Sequence, residues 1–218
     1  MDYVDHPQQM QRPGHRYLIW GYVGSLLVLV VDIVVFVFYD FFWAHMFWEP
    51  YYFLSVVGTW TVFFPISVLV AMGYWGLRIK YNQSYLAASA LATAGYIPAL
   101  WLVSFGLTVL PSWYQTGEFY FICFNGVFIA AGMFVVVGLL LTRKRCVKPD
   151  VLIAVVVLRL LAILLTTIQY FLLYIVEYAP WAMMILVMLV LVRDGIGVVS
   201  NIPLVLFFGS ERRAVSAQ

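Results

Sequence analysis

The chain has 218 residues, of which 65% are hydrophobic and 10% charged, and its mean hydropathy is +0.97. Soluble domains run about 45–50% apolar and about 25% charged, so the composition excludes a globular domain on a single anchor and indicates a polytopic membrane protein. The net charge of +2 points to no partner. No basic stripe with interleaved aromatics suggests nucleic acid, and two cysteines, Cys123 and Cys146, make no disulfide framework.

Residues 1–16, MDYVDHPQQMQRPGHR, form a polar leader, and the chain is expected to begin at its native Met1. The apolar run behind the leader is too long for the hydrophobic part of a signal peptide, and no small-residue cleavage site follows it, so a retained first span is expected. Apolar runs of ~20 residues mark membrane-spanning helices. They fall at 17–43, 51–77, 85–110, 119–141, 151–175 and 181–208, with a tail over 209–218. The connections are short and no low-complexity linker divides them. The expectation is one all-α transmembrane domain over 1–218, a bundle of six helices.

The basic residues set its orientation. Arg12 and Arg16 precede span 1, Arg78 and Lys80 follow span 2, Arg143, Lys144, Arg145 and Lys148 follow span 4, and Arg212 and Arg213 follow span 6. The loops on the other side carry Glu49, Glu118 and Glu177 and no Lys or Arg. The positive-inside rule then places both termini in the cytoplasm or its topological equivalent, without saying which membrane holds the chain. Aromatics crowd the opposite side (Trp43, Trp48, Tyr51, Tyr52, Trp113, Tyr114, Tyr120, Tyr178 and Trp181), as an interfacial belt does. Asn82-Gln83-Ser84 is a glycosylation sequon on the inner side, where it goes unused.

Spans 3 and 4 hold small residues: Ser84, Ala88 and Ala92 at every fourth position, and Gly126, Gly132 and Gly138. Such faces let helix backbones approach closely in lipid. In the loop after span 4, Arg143, Lys144, Arg145 and Lys148 form a compact basic cluster. It would attract anionic headgroups at roughly 1 kcal/mol per charge, although setting topology is the simpler account. Cys146 in this loop is a candidate for palmitoylation, and Cys123 reads as a small core residue.

Four charges stand deep inside the spans, away from their ends: Asp32, Arg159, Arg193 and Asp194. Each costs at least ~2.5–3.5 kcal/mol at the bilayer centre on insertion scales. Counted from the inner ends at ~1.5 Å per residue, Asp32 lies about 22 Å up, Arg159 about 13 Å, and the Arg193–Asp194 pair about 22 Å. Two cations thus meet two anions at overlapping depth. Helix neighbours point ~100° apart, so the expected pairs are Arg193 with Asp32 and Asp194 with Arg159. Polar stripes accompany the charges at helical spacing: Gly21, Ser25 and Asp32; Arg159, Thr166 and Tyr170; Arg193, Gly197, Ser200 and Asn201. Spans 1, 5 and 6 are therefore expected to meet around an ionic or water-filled interior. Gly195, Gly197 and Pro203 in span 6 suggest a helix break, as in transporters that build substrate sites at mid-membrane, or a kink.

Absences narrow the function. His6, His15 and His45 lie outside the expected spans, which removes the usual axial ligands of a membrane haem. No metal or hydrolase motif occurs, and no lysine lies within the expected spans to form a retinal Schiff base. No cofactor is expected, and an enzyme is disfavoured. The stretch 201–213, NIPLVLFFGSERR, departs from the seven-helix-receptor pattern, with Ile202 between Asn201 and Pro203, no following Tyr and only six spans, and it identifies no family. Two readings remain. One is a passive or secondary transporter or channel for a small solute or ion, with the charges lining the path. The other is a non-catalytic subunit of a larger membrane complex or a homo-oligomer, with the charges fixing helix register.

Overall fold

The computed structural model describes residues 7–37, 59–109, 117–176 and 181–216, and among them there is no strand. Six helices carry the fold: α1 (Pro7–Val35), α2 (Phe64–Tyr81), α3 (Tyr85–Val109), α4 (Gly117–Thr142), α5 (Pro149–Val176) and α6 (Trp181–Ser216). Each contains a segment long and apolar enough to cross a membrane, which is compatible with an integral membrane protein. The backbone groups of such segments must be satisfied internally in lipid, and the helix does that within itself. The belt aromatics at 43, 48, 51, 52, 113, 114 and 178 lie outside the described residues, as does the side chain of Tyr120. Trp181 is 62% exposed.

Local chemistry marks the helix ends. A π-helical turn, Thr59–Phe63, leads into α2, where Pro65 occupies the first turn and forfeits no hydrogen bond. α2 ends on Asn82 at φ 51°, with its N–H donating to the Arg78 carbonyl, so the sequon asparagine is a left-handed helix cap. A short 3₁₀ turn, Arg143–Arg145, closes α4. Pro149 then opens α5, and Asp150 in its first turn complements the helix dipole.

Each helix packs on its neighbours in sequence, and α6 returns to pack on α1, closing a ring. The closest approach is between α1 and α2. A Cβ on Gly21 would overlap the Cα of Gly73, and a Cβ on Gly76 would sit 2.9 Å from the Leu18 nitrogen. Gly21 therefore faces α2 rather than continuing a polar stripe with Asp32, and the Ser25 hydroxyl donates to its own helix at Tyr22 O. Between α3 and α4 the tight contact is Ser89 against Gly138, with the Ser89 hydroxyl donating to Phe134 O. The expected small-residue face at 84, 88 and 92 does not make it: Ser84 is exposed.

At the end where the basic residues gather, every helix contributes to one dry floor. Leu18, Leu77, Leu86, Leu139, Leu152 and Phe207, one from each helix, are all 0% exposed and belong to a single cluster. The expected tail is part of this floor. α6 runs on to Ser216, and Phe208, Gly209, Ser210 and Glu211 are buried. At ~1.5 Å per residue its 36 residues span ~54 Å, well beyond a ~30 Å hydrocarbon layer. The leader is also helical from Pro7, and His15 lies in the first turns of the first apolar segment, with Nδ1 buried and unpartnered.

Candidate functional site

α1, α5 and α6 meet at the four charges. On α5, Arg159, Ala162, Thr166 and Gln169 follow helical spacing and share one face; on α6, Arg193, Gly197, Ser200 and Asn201 do the same. α1 adds Asp32. The hydrogen bonds differ from the expected pairs. Asn201 Nδ2 donates to Asp32 Oδ2 at 2.7 Å, and Asn201 Oδ1 accepts from Arg159 Nη2 at 3.2 Å. A neutral amide thus stands between the anion of α1 and the cation of α5.

Arg193 pairs with its own neighbour. Its Nε and Nη2 each lie 2.7 Å from Asp194 Oδ1, and its Nη1 donates to Gln169 Oε1 at 3.0 Å. The expected partners Asp32 for Arg193 and Arg159 for Asp194 are not used. The angle between adjacent helical positions was the wrong constraint, because the long arginine stem curls back around the helix to its neighbour. That leaves the guanidinium edge free for α5, where Gln169 is 1% exposed. Gln169 escaped the sequence reading, which followed the α5 stripe to Tyr170; the steps of three and four from Arg159 through Ala162 and Thr166 reach Gln169 instead. The side chain of Tyr170 lies outside the described ones.

Thr166 and Ser200 are each 1% exposed, and their hydroxyls donate to their own helices, at Ala162 O (2.9 Å) and Gly197 O (2.7 Å). They present only acceptor capacity to the interior. The expected helix break is absent. α6 runs unbroken through Gly195, Gly197 and Pro203, because a single proline costs one backbone bond and neighbouring helices cover the gap. Among the described residues, a Cβ on Gly195 would meet only Phe36, at van der Waals distance, and a Cβ on Gly197 would meet nothing within 4 Å.

That open space is a cavity of about 400 Å³ lined by Asp32, Tyr96, Asn125, Arg159, Thr166, Arg193, Asp194 and Ser200, among others. A second cavity, of about 220 Å³, has a mostly apolar lining drawn from all six helices, including Val28, Val70, Ile97, Val135, Ile163 and Leu204. The two share Tyr96, Phe128 and Arg159. A polar chamber thus adjoins an apolar one, with Arg159 at the junction. Among the described residues, Arg159 Nε and Gln169 Nε2 are buried polar atoms without a hydrogen-bond partner, and Asp32 and Arg159 have no ion-pair partner within 4.0 Å. No group of His, Cys, Asp and Glu among the described residues is arranged to hold a metal.

A second ionic centre sits at the floor and escaped the sequence reading entirely. The Glu211 side chain is 0% exposed. Its Oε2 accepts from Lys80 Nζ at 2.6 Å and from the Tyr81 hydroxyl at 2.5 Å, and its Oε1 accepts from Val147 N at 2.9 Å. Burial, and then the Glu211 carboxylate beside it, push the Cys146 thiol up to about 12, so it is protonated at neutral pH. Other basic residues of this end are engaged too. Arg78 lies over Trp75, Arg212 lies over Tyr22, and Arg145 Nη1 donates to Tyr81 O. Arg143, Lys144 and Lys148 are exposed. Comparison with family models, characterised proteins and solved structures finds no match, so the functional reading rests on this geometry.

Proposed function

We propose that the protein is a multi-pass membrane protein that binds a small solute in the polar chamber and carries it as a passive or secondary transporter. One observation carries the reading: the four intramembrane charges line a chamber of about 400 Å³, and Asp32 and Arg159 do not close on each other. A set of charges that only fixed helix register would be dry and fully paired, because a half-satisfied buried network costs more than an apolar core. Asp32 and Arg159, held apart by Asn201, keep polar capacity beside that chamber. The volume falls in the ~300–1,000 Å³ range of small-molecule sites. The sealed floor opposes a continuous pore, so passage requires the helices to move, as in alternating access. The basic end, with both termini, faces the cytoplasm in this reading.

Reconstituted vesicles test it. Uptake of labelled amino acids, organic acids, amines and inorganic ions is compared between the wild-type chain and Gly197→Leu, whose side chain enters open space. The proposal expects uptake of at least one solute that Gly197→Leu abolishes while melting like the wild type. No uptake of any solute, together with co-purification of stoichiometric partners, would instead favour a subunit of a larger complex.

A further inference from the structure

Asp32 and Arg159 come from different helices and carry opposite charges, yet they do not form a direct ion pair. The buried Asn201 amide, 1% exposed, holds them apart, with its N–H on the carboxylate and its C=O on the guanidinium. Asn201 takes one oxygen of Asp32 and one nitrogen of Arg159. The other oxygen of the carboxylate and the Nη1 of Arg159 remain, and both residues line the polar chamber. The separation is therefore set by a group with a donor on one side of a carbon and an acceptor on the other. An ammonium and a carboxylate on one carbon have the same polarity and nearly the same spacing. Arg159 also lines the apolar chamber, so a substituent on that carbon has an apolar room beside the charged one.

We propose that the solute is a zwitterion with an apolar side chain, an α-amino acid of the leucine type. The Asp32 carboxylate accepts the ammonium, the Arg159 guanidinium donates to the carboxylate, and the side chain enters the apolar chamber. Arginine suits a carboxylate because its planar fork donates two parallel hydrogen bonds. The inference rests on the small-solute reading above and narrows it to one class. The volumes suit a molecule of this size.

The test is binding to the detergent-purified wild-type chain, read as thermal stabilisation and as displacement of labelled leucine. Three probes are compared: leucine, 4-methylpentanoate, which lacks the amine, and 3-methylbutylamine, which lacks the carboxylate. The expected result is that leucine binds and that each half-ligand binds about tenfold more weakly or worse, since a buried charged partner is left unmet. Asp32→Asn is expected to lose that preference and to bind 4-methylpentanoate at least as well as leucine. If Asp32→Asn does not fold, the wild-type probe series still decides. Equal binding of leucine and either half-ligand overturns the zwitterion assignment. So does displacement of labelled leucine by a short-chain phosphatidylethanolamine as readily as by leucine itself. Binding of none of the three also overturns it, while uptake of another solute blocked by Gly197→Leu would leave the transport reading standing.

Discussion

Glu211 at the floor and the Asp32–Asn201–Arg159 chain at mid-bundle both remove charge from solvent, and they do so in opposite ways. Glu211 has its cation in direct contact and two further donors on its oxygens. Its partners come from the end of α2 and the turn between α4 and α5, so one carboxylate ties two parts of the ring to α6. At mid-bundle the opposite charges are kept apart by an amide, polar atoms are left over, and a chamber adjoins them. Complete pairing gives rigidity, whereas incomplete pairing leaves polar capacity unused. The bundle therefore has a fully paired end and a partly paired middle.

The largest expected effect attacks the fully paired end. Glu211→Ala leaves Lys80, Tyr81 and Val147 without their acceptor. It should lower stability by about 3 kcal/mol, the lower end of the range for breaking a buried pair because Lys80 keeps 17% exposure. Melting in detergent checks this. Glu211→Gln should lose less, and Lys80→Met with Glu211→Leu should recover part of the loss, as expected of coupled sites. A Glu211→Ala chain that melts like the wild type would erase the contrast between the two regions.

The same treatment in the middle should act with the opposite sign. Asp32→Asn with Arg159→Met removes one anion and one cation, and replacing buried charge by neutral groups is often neutral or stabilising by about 1–4 kcal/mol. The double variant should melt at or above the wild type and carry no solute, measured by melting and by vesicle uptake. Gly197→Leu should be milder still. It gains up to about 1 kcal/mol of helix propensity, and its Cβ meets no described atom within 4 Å, yet it should fill the chamber and stop uptake.

The smallest effect reads the electrostatics of the floor. With its thiol at about 12, Cys146 should react with a maleimide at pH 8 at a rate set by roughly one thiolate in ten thousand. Glu211→Gln removes the adjacent negative charge, lowers the thiol toward its ordinary range and should speed labelling at the same pH. The fold favours the protonated thiol. Its contribution to stability is thus full below the ordinary value of 9.0 and is lost as pH rises toward 12.

Much of this was legible in the sequence. Apolar runs marked the six helices, because a backbone in lipid has few alternatives to a helix, and charge spacing singled out α1, α5 and α6. The partners were not legible. Which group Arg193 meets depends on how a long side chain folds back, and periodicity says nothing about that. Glu211 was hidden for another reason. It follows the last strongly apolar run beside Arg212 and Arg213, where hydropathy reads as a solvated tail. Its partner Lys80 is 131 positions away, and nothing in local pattern joins them. Gln169 lay within reach, one helical step before the tyrosine chosen in its place.

The closure of α6 onto α1 has a consequence for how the protein is made. A ring whose first and last helices are neighbours stays open throughout translation until α6 emerges. Until then the glycine-lined contact of α1 with α2 can form, but Lys80, Tyr81 and the Val147 amide wait for a carboxylate 131 positions after Lys80. The seating of Glu211 is therefore a late event in the assembly of these six helices, and the five helices made before it form an arc with an unfilled place for the sixth.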